Sequence, residues 1–173
     1  MFSLNSESTA TLLRTFVTSC IDYCNVMLAW APKTMTDKLQ CVVNDAARVA
    51  SGTRKFDVSL SVVHHSELQR LDIPERIIYK LGVMTYGCHH GKAPQYLADC
   101  YMPVSDVPAR QRLRSSSRHH LVVPRHRLST YCQRAFSVAG PSVWNSLLVE
   151  LQVLDISIGS FRQSLKTWLF SKC

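Results

Sequence analysis

The sequence predicts a mainly α-helical protein: a small helical bundle with a basic loop and a short β-hairpin inserted before its last two helices. Three observations lead there. Apolar residues recur at three- and four-residue spacings along four separate stretches. Prolines and glycines punctuate those stretches at Pro32, Gly52, Gly91, Pro94 and Gly140-Pro141. Between the third and fourth, residues 102–119 lose the helical period and hold Pro103, Pro108 and three consecutive serines. At 173 residues the chain is long enough for one domain with a real core, so a single helical domain over 8–173 is expected, with the insert at 102–140.

The first helix is expected over 8–31, where Leu12, Leu13, Phe16, Val17, Cys20, Ile21, Cys24 and Leu28 form one apolar stripe. Pro32 ends it. A second helix follows in TMTDKLQCVVNDAARVAS, turning Leu39, Val42 or Val43, Ala46 and Ala50 inward, with Gly52 as its C-terminal stop. Residues 53–71 are mixed, with a short apolar patch at Leu60, Val62 and Val63. Asp72, Pro74 and Glu75 then read as a helix start. The helix they open buries Ile77, Leu81, Met84 and Cys88 and closes at Gly91 and Pro94.

PQYLADCY reads as a short helix packing back on the bundle. HLVVP and RAFSVAG are short β-prone runs bounded by proline and glycine, and a hairpin accommodates both. After Gly140-Pro141, SVWNSLL restarts a helix. The last helix takes Ser160 as its N-cap, with Gln163 three residues on, and aligns Phe161, Leu165 and Leu169 on one face.

Several function classes lose their support on composition. No run of eighteen apolar residues exists, so no membrane-spanning helix is expected. The N-terminus, MFSLNSESTATLLRTF, has an early acid and neither a basic region nor a compact apolar one, so no secretory signal is readable. Seven cysteines in such a chain suggest free thiols in an intracellular setting, cytoplasmic or nuclear. Cys20 and Cys24 lie one helical turn apart without a following histidine, and Cys88-His89-His90 has no paired cysteine motif beside it. No metal site is expected, and the cysteines read as small buried hydrophobes. No GxSxG, Walker-type glycine loop or HExxH is present, and the carboxylates stand apart in sequence. No enzyme activity, cofactor or small-molecule substrate is therefore expected.

The net charge of +8 is local. Arg110, Arg112, Arg114, Arg118, Arg125, Arg127 and Arg134 fall between Pro108 and Arg134, a window without a single acid. Guanidinium groups stay charged at any relevant pH and present a fork of donors that matches phosphate oxygens. On an extended backbone Arg110, Arg112 and Arg114 would line one side, and Arg125 and Arg127 repeat that spacing. Serines 115–117 add neutral donors, and Tyr131 and Phe136 flank the second cluster as rings to stack on a base. Nucleic-acid binding is the expectation. Its rivals are a solvated or acid-paired face, and a membrane or acidic protein partner. An anionic membrane favours an amphipathic basic helix, which this segment is not.

Several segments, in order, resemble the region that follows the polymerase domain in reverse transcriptases of non-LTR, LINE-type retrotransposons of the jockey-like kind. They are FVTSCIDYCN (16–25), DKLQCVVNDAARVASGTRKFD (37–57), LDIPERIIYKL (71–81), GKAPQYL (91–97), LRSSSRHHLVVPRHRLSTY (113–131), RAFSVAGPSVWNSL (134–147) and SFRQSLKTWLF (160–170). NDAAR, LVVPR and SVWNSL are the most specific parts. The resemblance implies a thumb-like helical piece with a basic segment that grips RNA or an RNA–DNA hybrid, while the endonuclease and polymerase domains would lie before Met1. It also implies departures: Cys20, Cys41 and Gln152 stand where arginine is expected, Leu148 where proline is, Gln69-Arg70 where His-Trp is, and Cys132 where glycine is. Changes of the Arg-to-Cys, Arg-to-Gln and Pro-to-Leu kind are what single C-to-T transitions produce. A decayed element copy, a structural remnant that once packed against the polymerase domain, is thus the alternative expectation.

Overall fold

The computed structural model describes residues 6–23, 25–51, 71–108, 119–125, 132–153 and 155–172. Six α-helices occur among them: α1 Ser6–Asp22, α2 Lys33–Ser51, α3 Ile73–His89, α4 Gln95–Ala98, α5 Phe136–Ser146 and α6 Ile158–Phe170. Short 3-10 turns at Asn25–Leu28, Val104–Asp106, Cys132–Arg134 and Val149–Gln152 connect them. The chain is mainly helical, and no helix among the described residues is long and apolar enough to cross a membrane.

Two compact units emerge, Met1–Asn25 with Ala31–Arg76, and Val26–Trp30 with Ile77–Cys173. In the first, α1 packs on α2. α1 ends at Asp22, nine residues before the expected stop, and Asp22 takes a two-point ion pair from Arg76, 3.0 Å from Nε and 2.6 Å from Nη2. The apolar stripe expected on this helix is not all inward: Phe16 is 69% exposed and Cys20 is exposed. On α2, Val43 is the buried residue of the pair and Val42 faces out. The start of α3 is closed by a side chain from α2. Gln40 donates Nε2–H to Asp72 Oδ1 (3.0 Å) and accepts the Ile73 N–H on Oε1 (3.0 Å), satisfying one of the amides a helix start leaves unpaired. Gly52 and the Leu60–Val63 patch lie outside the described residues.

The second unit is built on α3, α5 and α6. Tyr86 of α3 stacks on Phe161 of α6 (4.4 Å between centroids), and Trp144 of α5 lies 6.1 Å from the same ring. Leu81, Phe161, Leu165, Leu169 and Trp144 are fully buried. Glycines stand at two further contacts between these helices. A Cβ on Gly140 would come within 3.1 Å of Thr85 Oγ1 and 3.0 Å of Phe136 Cε2, and one on Gly82 within 3.0 Å of Leu165. α3 ends as its sequence foretold: Gly91 sits at φ 62°, with Lys92 N–H on Gly87 O (2.9 Å) and Gly91 N–H on Cys88 O (3.3 Å). That paired closure needs a left-handed residue, which glycine supplies without a steric penalty.

Two further local expectations are corrected. Ser157, not Ser160, caps α6, accepting the Ser160 N–H on its hydroxyl (3.2 Å). The β-hairpin is not supported: no strand forms among the described residues, and Phe136–Gly140 belong to α5, which runs on through Pro141 to Ser146. Val138, Ala139, Gly140 and Pro141 are buried, and their packing overrides the β-propensity of the run. The other half of the expected hairpin finds a different partner. Val104 N–H bonds His120 O (2.9 Å) and Val122 N–H bonds Met102 O (2.8 Å), placing Pro103 opposite Leu121 in one antiparallel bridge.

Candidate nucleic-acid interface

The basic segment enters the described structure at His119 and is gripped there from two sides. In the bridge just described, Pro103 and Leu121 form the pair whose backbone groups point away from each other. Pro103 therefore loses nothing by having no N–H. Leu121, 2% exposed, must satisfy both its groups elsewhere, and Asn145 of α5 does so. Asn145 accepts the Leu121 N–H on Oδ1 (2.8 Å) and donates Nδ2–H to Leu121 O (2.9 Å), a side chain standing in for a neighbouring strand. Next to it, Trp144 donates its indole N–H to His119 O (3.0 Å). His119 itself adopts φ 53°, a left-handed turn just before the anchored run.

The end of α5 that carries Trp144 and Asn145 is held in turn by Gln152. This side chain, 1% exposed, donates Nε2–H to Trp144 O (2.7 Å) and to Leu147 O (3.2 Å). Its Oε1 is buried and meets no donor among the described residues.

Arg125, four residues past Leu121, is exposed and forms no ion pair among the described residues. Arg134 is half-buried at the end of the turn preceding α5. Arg110, Arg112, Arg114, Arg118, Arg127 and Tyr131 lie outside the described residues, as do serines 115–117. Phe136, expected as a stacking ring, is half-buried with its edge against Gly140. Tyr96 of α4, 70% exposed, is a ring that sequence reasoning passed over.

The charge divides with the fold. The first unit holds eight lysines and arginines and eight acids, and the second holds twelve against four. The four acids of the second unit, Asp99, Asp106, Glu150 and Asp155, are all exposed.

A histidine pair stands next to this anchor. His89 Nδ1 lies 2.6 Å from the Tyr101 hydroxyl, and His90, stacked on Tyr86 at 4.1 Å, pairs Nδ1 with Tyr86 O (3.0 Å). Burial, then the charges of His90 and His119, hold His89 below the usual imidazole range. Burial, then Asp106 and Cys88, push Tyr101 up to about 12. Burial and the neighbouring Cys100 raise the Cys88 thiol. A thiol kept protonated is a poor nucleophile and a poor ligand. The five described cysteines are free, and only Cys88 among them is buried, so the reading of the cysteines as core hydrophobes holds for that one alone. No group of three or more His, Cys, Asp or Glu side chains suited to a metal occurs among the described residues.

Comparison of the chain with protein-family models, with curated proteins and with solved structures returned no match.

Proposed function

We propose that the chain is a nucleic-acid-binding piece corresponding to the region after the polymerase domain of LINE-type reverse transcriptases. In this reading it holds the phosphate backbone of RNA or an RNA–DNA hybrid through its arginine-rich segment and catalyses nothing itself. One observation carries the proposal. The whole net charge of +8 falls in one of two compact units, and that unit grips its basic segment by Trp144 and Asn145. LVVPR and SVWNSL, two of the runs most specific to the resemblance, meet at this grip, since Leu121 opens the first and Asn145 lies in the second. An anchored basic segment spends less ordering free energy on binding than a free one.

The test replaces Arg110, Arg112 and Arg114 together with glutamine and titrates both chains against RNA, an RNA–DNA hybrid and duplex DNA. The triple variant is expected to lose about half the salt dependence of binding, because each phosphate contact contributes about equally to it. Equal binding by both chains contradicts the proposal.

A second reading has its own observation. Within residues 8–31, Phe16 (69%), Tyr23 (80%), Met27 (64%) and Trp30 (57%) are exposed. Large apolar groups in water suit a structural remnant whose faces packed against a polymerase domain. On that reading the wild-type chain binds no nucleic acid at any salt concentration.

A further inference from the structure

Resting on the nucleic-acid reading, we infer that Tyr96 is a base-stacking residue and that the interface therefore takes unpaired nucleotides, of RNA or DNA, in preference to a duplex. The ring is presented by construction. α4 is a single turn that begins after Pro94, with Leu97 and Ala98 half-buried and Gln95 and Tyr96 outward. Gln95 is occupied with Asp99, donating Nε2–H to Oδ1 at 2.8 Å, and the Tyr96 ring has no aromatic neighbour or hydroxyl partner among the described residues. With 70% of its surface in water it is the most exposed aromatic described in the cationic unit.

Its position ties it to the anchored segment. Six residues after Tyr96, Met102 accepts the Val122 N–H at 2.8 Å. The reach of the chain limits that separation to about 20 Å, and places exposed Arg125 within about 10 Å of Val122. Met102, on the path that links the two through its bond to Val122, is itself 51% exposed. Of the two acids on this stretch, Asp99 is held by Gln95 and Asp106 accepts from the Ser105 hydroxyl (3.1 Å). An aromatic platform for bases beside a cationic track for phosphates is the arrangement by which single strands are bound, since every base offers a π-face. In a duplex those faces are already stacked on one another, so the ring gains nothing there.

The experiment compares the wild-type chain with Tyr96→Ala and Tyr96→Phe, binding a single-stranded RNA, a single-stranded DNA of the same sequence, and the duplex. Tyr96→Ala is expected to lose roughly tenfold in affinity for single strands and little for the duplex. Its salt dependence stays unchanged, because no charge is removed. Tyr96→Phe keeps wild-type affinity. Loss on both single strands, or on the RNA alone, supports the inference and tells which source of unpaired bases is read. A Tyr96→Ala chain that weakens duplex binding as much as single-strand binding, or leaves single-strand binding intact, overturns it while the underlying function stands. So does a Tyr96→Phe chain as weak as the alanine variant. A wild-type chain that binds none of the three overturns that function and this inference together. Circular dichroism on each variant confirms that an exposed replacement has left the fold in place.

Discussion

Asn145 closes its side-chain amide on both backbone groups of Leu121, one bond of 2.8 Å to the N–H and one of 2.9 Å to the carbonyl. Together with the Trp144 indole bond to His119 O, this clamp joins α5 to the segment that carries the arginines. Leu121 is buried, so removing the amide strands two polar groups away from water. Asn145→Ala is expected to lower stability by about 1–3 kcal/mol, read from denaturant midpoints. Asn145→Asp keeps an acceptor for the N–H but turns a carboxylate oxygen on the carbonyl, so it is expected to cost at least as much. Wild-type midpoints for both variants would show that the clamp contributes nothing.

Gln152 tests the reading of the chain as a copy with arginines lost. Its Nε2 serves two carbonyls at the end of α5 while its buried Oε1 meets no donor among the described residues. An arginine there would carry donors only. Gln152→Arg removes the unsatisfied acceptor and keeps donors for the two carbonyls, so on this reading it is expected to raise stability by about 1 kcal/mol. Gln152→Glu places negative charge against two carbonyl oxygens and is expected to destabilise. Thermal melts of the two variants settle the order, and a less stable arginine variant contradicts the account.

Gly140 of α5 faces Thr85 of α3. A methyl group would press within 3.1 Å of Thr85 Oγ1 and 3.0 Å of Phe136. Gly140→Ala is expected to cost about 1–3 kcal/mol from overpacking, despite the better helix propensity of alanine. A rise in melting temperature would mean the neighbours give way.

Acid is expected to weaken the second unit through His89. Its folded pKa lies below its unfolded value, so the unfolded chain binds more protons as the pH falls through the imidazole range. Stability is therefore fully present above about pH 6.5 and declines below it. Tyr101 sets the opposite limit: raised to about 12, it favours the folded state up to the ordinary tyrosine value near pH 10, and that stability fades between there and about 12. Denaturation midpoints at pH 7.5 and 5.0 check the acid limb, and His89→Gln is expected to narrow the difference between them.

What could be read from sequence follows physical lines. α3 was legible because its apolar spacing, its early proline and its closing Gly91 all agree with one another. The hairpin was not: Phe136 and Val138 are β-prone by themselves, and only the burial of Val138–Pro141 in the folded unit makes a helix the better state for them. Ser160 and Ser157 are equally good caps in isolation, and the start of the buried face at Phe161 does not choose between them. The arginine cluster announced itself through the absence of acids around it. Its anchor did not, because no local signal says that Asn145 will pair with a backbone 24 residues away. Tyr96 was passed over because a tyrosine beside leucine and alanine in a short helix carries no mark of exposure.

The central claim is that the arginines of residues 110–128 hold phosphate. Its most direct test is the affinity of the wild-type chain for duplex DNA across a salt series. If all six arginines in that stretch reach phosphate, log affinity falls against log salt with a slope of roughly −5, and less steeply on single strands. A weak response that stays flat across the series would contradict the claim and leave the charge as inherited surface.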